Sequence, residues 1–290
     1  MKRILLLLVF LLAISSRGWA QMPKIEGLDQ MPMDTIVKEV KDYARQRFFY
    51  KVSFVEDTEQ PEKRTEAQCV LEIGHHGSSF KDFYRLATDS LVDDVVKKNG
   101  TFMELFGRVS GWAKNKKWYT ALLKGYPAGE DYHQTSVSIL FEFVEYSCPS
   151  PTFDWQVGEE TKEIMGYMCR KATCHHSGRD YTAWYAEEIP LSDGPYIFRG
   201  LPGLIVAISS DDGEYTFELN GQQEITFSSP IYLELKKRTY KKTREEARII
   251  IRNMHENCAE IFANTVKIKA SNPEFLGKLM DRFRSLPYTF

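Results

Sequence analysis

From residue 48 onward, apolar and polar positions mostly alternate. Phe48 to Val55 alternates with aromatic and β-branched content and predicts a strand; Cys69 to Ile73 predicts a second, shorter one. Residues 35–47 fit helix and strand equally. Leu91, Val92, Val95 and Val96 fall at helical spacing, which predicts a helix capped by Asp89, running through Lys98 and ended by Gly100. Val137, Ile139, Phe141 and Phe143 share one face of a further strand. Gly158 to Thr161 reads as a turn between Trp155-x-Val157 and a strand through Ile164, Gly166, Tyr167 and Cys169. Ser177-Gly178-Arg179-Asp180 reads as another turn, followed by a strand from Tyr181 to Glu187. Leu204 to Ile208 is short and β-branched. Asp211-Asp212-Gly213 turns into the alternating Tyr215-Thr-Phe217-Glu-Leu219, and Asn220-Gly221 is a hairpin signal, because both central positions of a type I′ turn need φ > 0. Ile231-x-Leu233-x-Leu235 is one more strand. Strands this close together with tight turns predict antiparallel pairing, since parallel strands need long crossovers.

The pattern changes at Thr243-Arg-Glu-Glu246, a capping-box sequence ahead of Ile250, Met254, Ala259 and Phe262 at helical spacing. This predicts a helix over about 243–264 packed on the sheet. The fold class expected is mainly β (α+β): a twisted antiparallel sheet, drawn as a curved half-barrel, with that C-terminal helix against it. Residues 35–290 form one domain in this reading, behind a loose leader at 21–34.

The first twenty residues have a different character. Lys2 and Arg3 precede an unbroken apolar run from Ile4 to Ile14, and Gly18-x-Ala20 is a small-x-small exit, which together make the three parts of a cleavable secretory signal. Eleven helical residues span about 16 Å, too short for a hydrocarbon layer of about 30 Å. Cleavage would leave Gln21 first and no transmembrane segment. Removing Lys2, Arg3 and Arg17 from the 38 basic residues leaves 35 against 40 acidic, a net −5 that argues against nucleic acid as partner. The expected location is outside the cytoplasm. In such a compartment the five cysteines, Cys69, Cys148, Cys169, Cys174 and Cys258, are disulfide candidates, with at least one left over.

Residues 166–205 read GYMCRKATCHHSGRDYTAWYAEEIPLSDGPYIFRGLPGLI. Gly200-Leu201-Pro202-Gly203-Leu204-Ile205 spells the motif that names the GLPGLI family, exported proteins of Gram-negative bacteria, largely of unknown function. Gly166-Tyr167-x-Cys169, Lys171-Ala172, Gly178-Arg179, Ala183-Trp184-Tyr185, Glu188-Ile189-Pro190 and Gly194-Pro195 also resemble that family's pattern. Upstream, Leu71-x-Ile73-Gly74, Ser79-Phe80 and Asp89-Ser90 do the same, so the resemblance covers roughly 48–220. It implies export, a β-rich fold and a location in the periplasm or at the outer surface of a Gram-negative bacterium, and it implies no activity. Cys174-His175-His176 departs from the pattern. Physically, Pro195 and Pro202 fix φ while Gly194, Gly200 and Gly203 permit close approach, so the segment reads as two sharp bends around an apolar stretch.

Three kinds of chemistry are then open. Arg179, Trp184 and Tyr185, with Pro195, Gly200 and Pro202, are the candidate ligand-binding residues, for a hydrophobic or peptide ligand or an envelope protein partner. Cys169, Cys174, His175 and His176 carry thiolate and imidazole and are the candidate metal ligands, for zinc or copper; no other cofactor is indicated. A hydrolase without a recognisable motif is the third: His75-His76 precede Ser78-Ser79, but no G-x-S-x-G, H-E-x-x-H, P-loop or dinucleotide fingerprint is present. Lys236 to Arg244 holds six basic residues in nine, suited to a solvated junction or an anionic surface. The expected function is a non-catalytic binding or accessory role.

Overall fold

The structure, a computed structural model, describes residues 36–56, 59–109, 115–136, 143–235 and 239–257. The signal, the leader, the alternation at 137–141, Lys236 to Arg238, Cys258 and the expected helix beyond 257 lie outside the described residues.

Strand alternation sets the core. In β2 (Gln46–Val55) the even positions Phe48, Tyr50, Val52 and Phe54 are buried, and antiparallel β3 (Arg64–Ile73) sets Leu71, Cys69 and Ala67 opposite the first three. β4 (Ser78–Asp82) adds Phe80 opposite Leu71. Burying each such ring is worth about 1.5–3 kcal/mol. The other strands are β5 (Thr120–Lys124), β6 (Glu130–Ser136), β7 (Phe143–Pro149), β8 (Gln156–Ile164), β9 (Tyr167–His176), β10 (Arg179–Ala186), β11 (Leu204–Ser210), β12 (Tyr215–Glu224) and β14 (Thr239–Lys241). They form one sheet in the order β14-β7-β6-β5-β4-β3-β2-β12-β11-β10-β9-β8, antiparallel except for β14 on β7. β1 (Lys38–Tyr43) and β13 (Pro230–Glu234) pair as a separate ribbon.

The sheet is curved. Phe80 and Phe217 stand on β4 and β12, three strand spacings apart, or about 14 Å in a flat sheet. Their ring centroids are 6.3 Å apart, so the strands curl around the core they share. The sheet stays open, with β14 and β8 as its end strands.

Each face is covered differently. On the concave face, α3 (Arg244–Glu256) lays Ala247 and Ile251 on Val144 and Tyr146 of β7. Its capping box is complete: Glu246 N donates to Thr243 Oγ1 at 3.2 Å, and Thr243 N to Glu246 Oε2 at 3.0 Å. On the convex face lie α1 (Phe83–Lys97) and the β1–β13 ribbon, over a buried charged layer. There Glu72 meets Arg47 at 3.0 Å and Lys81 at 2.9 Å, and Gln134 donates to Glu145 at 2.6 Å. A second short helix, α2 (Phe102–Val109), packs Leu105 against Leu91, Val92 and Val95 of α1.

Several expectations from sequence need correction. The first helix is capped by Asp82, not Asp89; Asp82 accepts from Tyr84 N at 2.8 Å and from Lys117 N and Trp118 N at 2.9 Å, holding two segments at once. Asp89 sits mid-helix and accepts from Tyr232 Oη at 2.5 Å. Gly158 to Thr161 is a bulge within β8, and the hairpin turn falls at Met165-Gly166, both at positive φ. Asn220-Gly221 is likewise a bulge within β12, where Asn220 and Gln68 exchange side-chain hydrogen bonds across the sheet. Cross-strand pairing there supplies what a two-residue turn would have. Cys69, Cys148, Cys169 and Cys174 are free thiols, so no disulfide forms among the described residues.

Gly203 is one of the tightest points of this packing, since a Cβ there would overlap the Ala186 carbonyl and stand 2.9 Å from Glu187 Cα. Gly203→Ala is expected to cost about 1–3 kcal/mol in urea unfolding. Gly107→Ala in α2, where a Cβ meets nothing within 4 Å, is expected to be neutral or stabilising by up to about 1 kcal/mol.

Candidate functional site

The segment between β10 and β11, residues 187–203, crosses the concave face and reaches strands that lie far from its own in the sheet order. Two ion pairs fasten it there. Lys124 of β5, 2% exposed, pairs with Asp193 and also donates to Gly194 O at 2.7 Å. Arg199 pairs with Asp131 of β6, a fully buried carboxylate whose Oδ1 accepts from Ser150 Oγ at 2.8 Å. Burial pushes the Lys124 ammonium below the usual lysine range, with Asp193 beside it pulling the other way. Backbone bonds Ile205 N to Asp193 O and Leu204 N to Ile189 O, both 3.0 Å, close the base of the arch. Trp155 Nε1 donates to Arg199 O at 2.8 Å from the outer side.

Between these fastenings, Tyr196, Ile197 and Phe198 hang toward the sheet. Tyr196 holds φ +49°, a conformation uncommon for a residue with a large side chain. Its ring meets Trp118 edge-on at 5.3 Å and lies 6.4 Å from His133. Phe198 contacts Tyr181 at 4.9 Å and Phe217 at 6.2 Å. These rings leave a recess walled by Trp118, Tyr181, Tyr196, Phe198, Tyr215 and Phe217, with the more exposed His176, Ser177 and Ile197 at its mouth. The space inside it is about 10 Å³, room for about one water molecule, within a wider hollow of about 390 Å³ that includes open solvent.

Polar atoms without partners border the recess. Trp118 Nε1 and Tyr196 Oη are buried and make no hydrogen bond among the described residues, and neither does Nδ1 of His133 behind Tyr196. Each such atom costs about 1–3 kcal/mol if it stays unpaired. Burial pushes the Tyr196 phenol far up and drives His133 down to about 4. His133 stacks flat on Tyr146 at 4.5 Å. The arrangement is apolar with a few hydrogen-bonding atoms at its back, suited to a flat apolar group.

Of the residues singled out from sequence, Arg179 stands beside the recess, its guanidinium 5.2 Å from the Tyr215 ring, but it pairs with Asp212 at 3.1 Å and with Glu214. Trp184 is on the opposite side of β10, under the Lys162 ammonium at 4.2 Å. Tyr185 is buried and donates to Glu187 at 3.3 Å. Pro195 is buried just ahead of Tyr196, while Gly200, at φ +97°, and Pro202 are exposed on the far side of the arch. Pro195 and Gly200 thus bracket the lining residues without lining the recess themselves. Trp118, Tyr196, Phe198, Tyr215 and Phe217 are the residues that sequence reasoning missed. Gly194-Pro195 and Gly200 were the available signal for Tyr196 and Phe198, which lie between the two bends.

The Cys/His cluster is not brought together. Cys169 and Cys174 are five positions apart on β9, about 16 Å along the strand. His175 is exposed and bonds Asp180 at 2.7 Å, while His176 packs its ring 4.7 Å from Phe153. Burial raises both thiols above the usual cysteine range, Cys174 to about 11. Among the described residues no group of three or more His, Cys, Asp or Glu is placed to hold a metal ion.

A family model described as a protein of unknown function (Porph_ging) matches residues 175–207, from the end of β9 through the arch into β11. That span contains the Gly200–Ile205 hexapeptide, and kinship with the GLPGLI family rests on the resemblance alone. No curated protein sequence matches the chain. Two solved structures of PNGF-II, in P21 and C2 space groups, are similar over 73% of this chain, each at 14% identity, with TM-scores of 0.48 and 0.47. The match covers 34% and 33% of those chains, so this chain spans about a third of their length.

His133 gives the site a pH signature. Its folded-state value is about 4, below the ordinary 6.5, so between these the unfolded chain binds more protons and stability rises with pH. The contribution is complete above about pH 6.5 and lost as pH falls toward 4. Wild type is expected to lose about 2–4 kcal/mol more than His133→Gln between pH 7 and pH 4, measured by urea unfolding of both at each pH.

Proposed function

We propose that this is an exported cell-envelope protein that binds rather than transforms its ligand, seating a flat apolar group of a small molecule or peptide in the recess under residues 193–201. The observation that carries the reading is the recess itself: six rings around a partly open space whose lining is almost wholly apolar. A side chain or ring entering it would exclude water from the rings, which would part to admit it. Burial holds the thiols of Cys69, Cys148, Cys169 and Cys174 above their usual range, which keeps them protonated and poor as nucleophiles. Export rests on the basic, apolar and small-residue parts of the first twenty residues.

A second reading, a protein partner in the envelope, is favoured by the end strand β8. It is exposed along nearly its whole length, pairs only with β9 among the described residues, and stands beside exposed Met165 and Met168. An unpaired strand edge of this kind can accept a strand from another chain.

The recess reading is tested with Nile red, a neutral apolar dye, titrated into the mature chain and into Ile197→Trp. The substitution fills the mouth and leaves the core intact. Wild type is expected to enhance the dye's fluorescence and Ile197→Trp to weaken binding by about tenfold or more, the equivalent of about 1.4 kcal/mol. Equal binding by both, with circular dichroism unchanged, would sink the reading.

A further inference from the structure

His133 is enclosed between two rings under the arch. It is 3% exposed, lies flat on Tyr146 at 4.5 Å and meets the Tyr196 ring edge-on at 6.4 Å. Its Nδ1 makes no hydrogen bond among the described residues. Asp131, on the same face of β6, is the carboxylate that acts on it, and that carboxylate is already taken by Arg199 of the arch and by Ser150. Asp193 of the arch is likewise taken by Lys124 of β5, and Arg244 at the start of α3 adds a further positive charge. Tyr146 and Cys148 of β7 and Tyr196 of the arch, all pushed up by burial, stay neutral. The two ring walls differ in what holds them. Tyr146 belongs to β7, which is paired with β6 from Phe143 to Pro149 and covered by Ala247 and Ile251 of α3. Tyr196 belongs to no strand. It holds φ +49°, its Oη makes no hydrogen bond among the described residues, and the arch around it is fastened to the sheet through the Lys124–Asp193 and Arg199–Asp131 side chains.

From this packing we infer that the arch is an acid-released strap: a proton taken up by His133 drives Tyr196 off its ring, and residues 194–200 lift so that water reaches Nδ1, which opens the recess. The inference rests on the recess reading only for what the opening admits; the strap itself stands on the packing of the arch. An imidazolium left in the closed stack is a buried charge without an acceptor, and a loop held by side chains yields more readily than a strand held by a ladder. Lifting also brings water to Tyr196 Oη and Trp118 Nε1. In the closed stack burial holds His133 at about 4, with Asp131 pulling it up and Arg244 and Arg199 pushing it down, below the ordinary 6.5 that it recovers in water. The open form therefore binds the proton over this range. Opening gains up to about tenfold for each pH unit from about 6.5 down to about 4, and above that range the strap stays shut.

The test is hydrogen exchange followed by mass spectrometry on the mature chain at pH 7 and pH 5, with each rate compared with that of the unfolded chain at the same pH. In wild type the arch amides Phe198 N and Ile205 N, bonded to Pro195 O and Asp193 O, are expected to lose protection by about tenfold or more at pH 5 and to stay far less protected than β2 and β3, as local opening requires. His133→Gln keeps Asp131 and Asp193 and should lose less than about twofold at the arch. His133→Phe, a flat ring that takes no proton, should do the same, which separates lost titration from a loosened core. A wild-type arch that is indifferent to pH, or an equal loss in all three chains, would overturn the strap. So would arch amides exchanging at the same protection as β2 and β3, since they would then open only with the whole fold. Nile red titrated at both pH values separates this inference from the recess reading. Arch release at pH 5 with no rise in dye binding keeps the strap and counts against the recess as a binding site. A rise in binding with arch protection unchanged overturns the strap and leaves the recess standing.

Discussion

Two buried ion pairs, Lys124–Asp193 and Asp131–Arg199, fix the relation between the halves of this molecule. β5 and β6 supply one partner of each pair, and the β10–β11 arch supplies the other, across a sheet in which β5 and β10 are separated by five strands. A buried pair of this kind adds little net stability, since desolvation offsets most of the Coulomb attraction, but removing one partner strands a charge and costs about 3–5 kcal/mol. Its effect is therefore on geometry. It fixes where Tyr196 and Phe198 descend, and so where the recess lies.

The arch also explains the sheet's two faces. The concave face is too wide for one helix, and α3 covers only its β7 side. The arch covers the rest with aromatic side chains, which fill the volume between curled strands. The convex face is covered by α1 and the β1–β13 ribbon and uses paired charges such as Glu72 with Arg47 and Lys81. Rings packed edge to face leave gaps that aliphatic chains would close, and Trp118 Nε1 and Tyr196 Oη stay unpaired among the described residues.

Much of the fold is legible in the sequence because its signals are local. Alternation at Phe48, Tyr50, Val52 and Phe54 needs no partner to be read, and Thr243 to Glu246 carries its own cap. The misread elements are those where pairing overrides a local signal: Asn220-Gly221 is a strong turn dipeptide, yet β2 holds it extended, and Asp89 has capping chemistry but finds Tyr232 from a ribbon more than a hundred residues away. The site was less legible. Trp118 follows a stretch without periodicity, and its role depends on Tyr196, Phe80 and Phe217 from three other elements. Gly194-Pro195 and Gly200 mark the arch, but nothing local says that the residues between them face a cavity.

Hydrogen exchange followed by mass spectrometry, on wild type and Asp193→Asn, tests the account most directly, because the substitution removes one fastening of the arch while keeping its size. The fastening predicts that amides closing the arch, Phe198 N on Pro195 O and Ile205 N on Asp193 O, exchange much faster in Asp193→Asn, with β2 and β3 slowed or sped only as far as global stability changes. Unchanged protection across 193–205, or a uniform loss over the whole sheet, would contradict it.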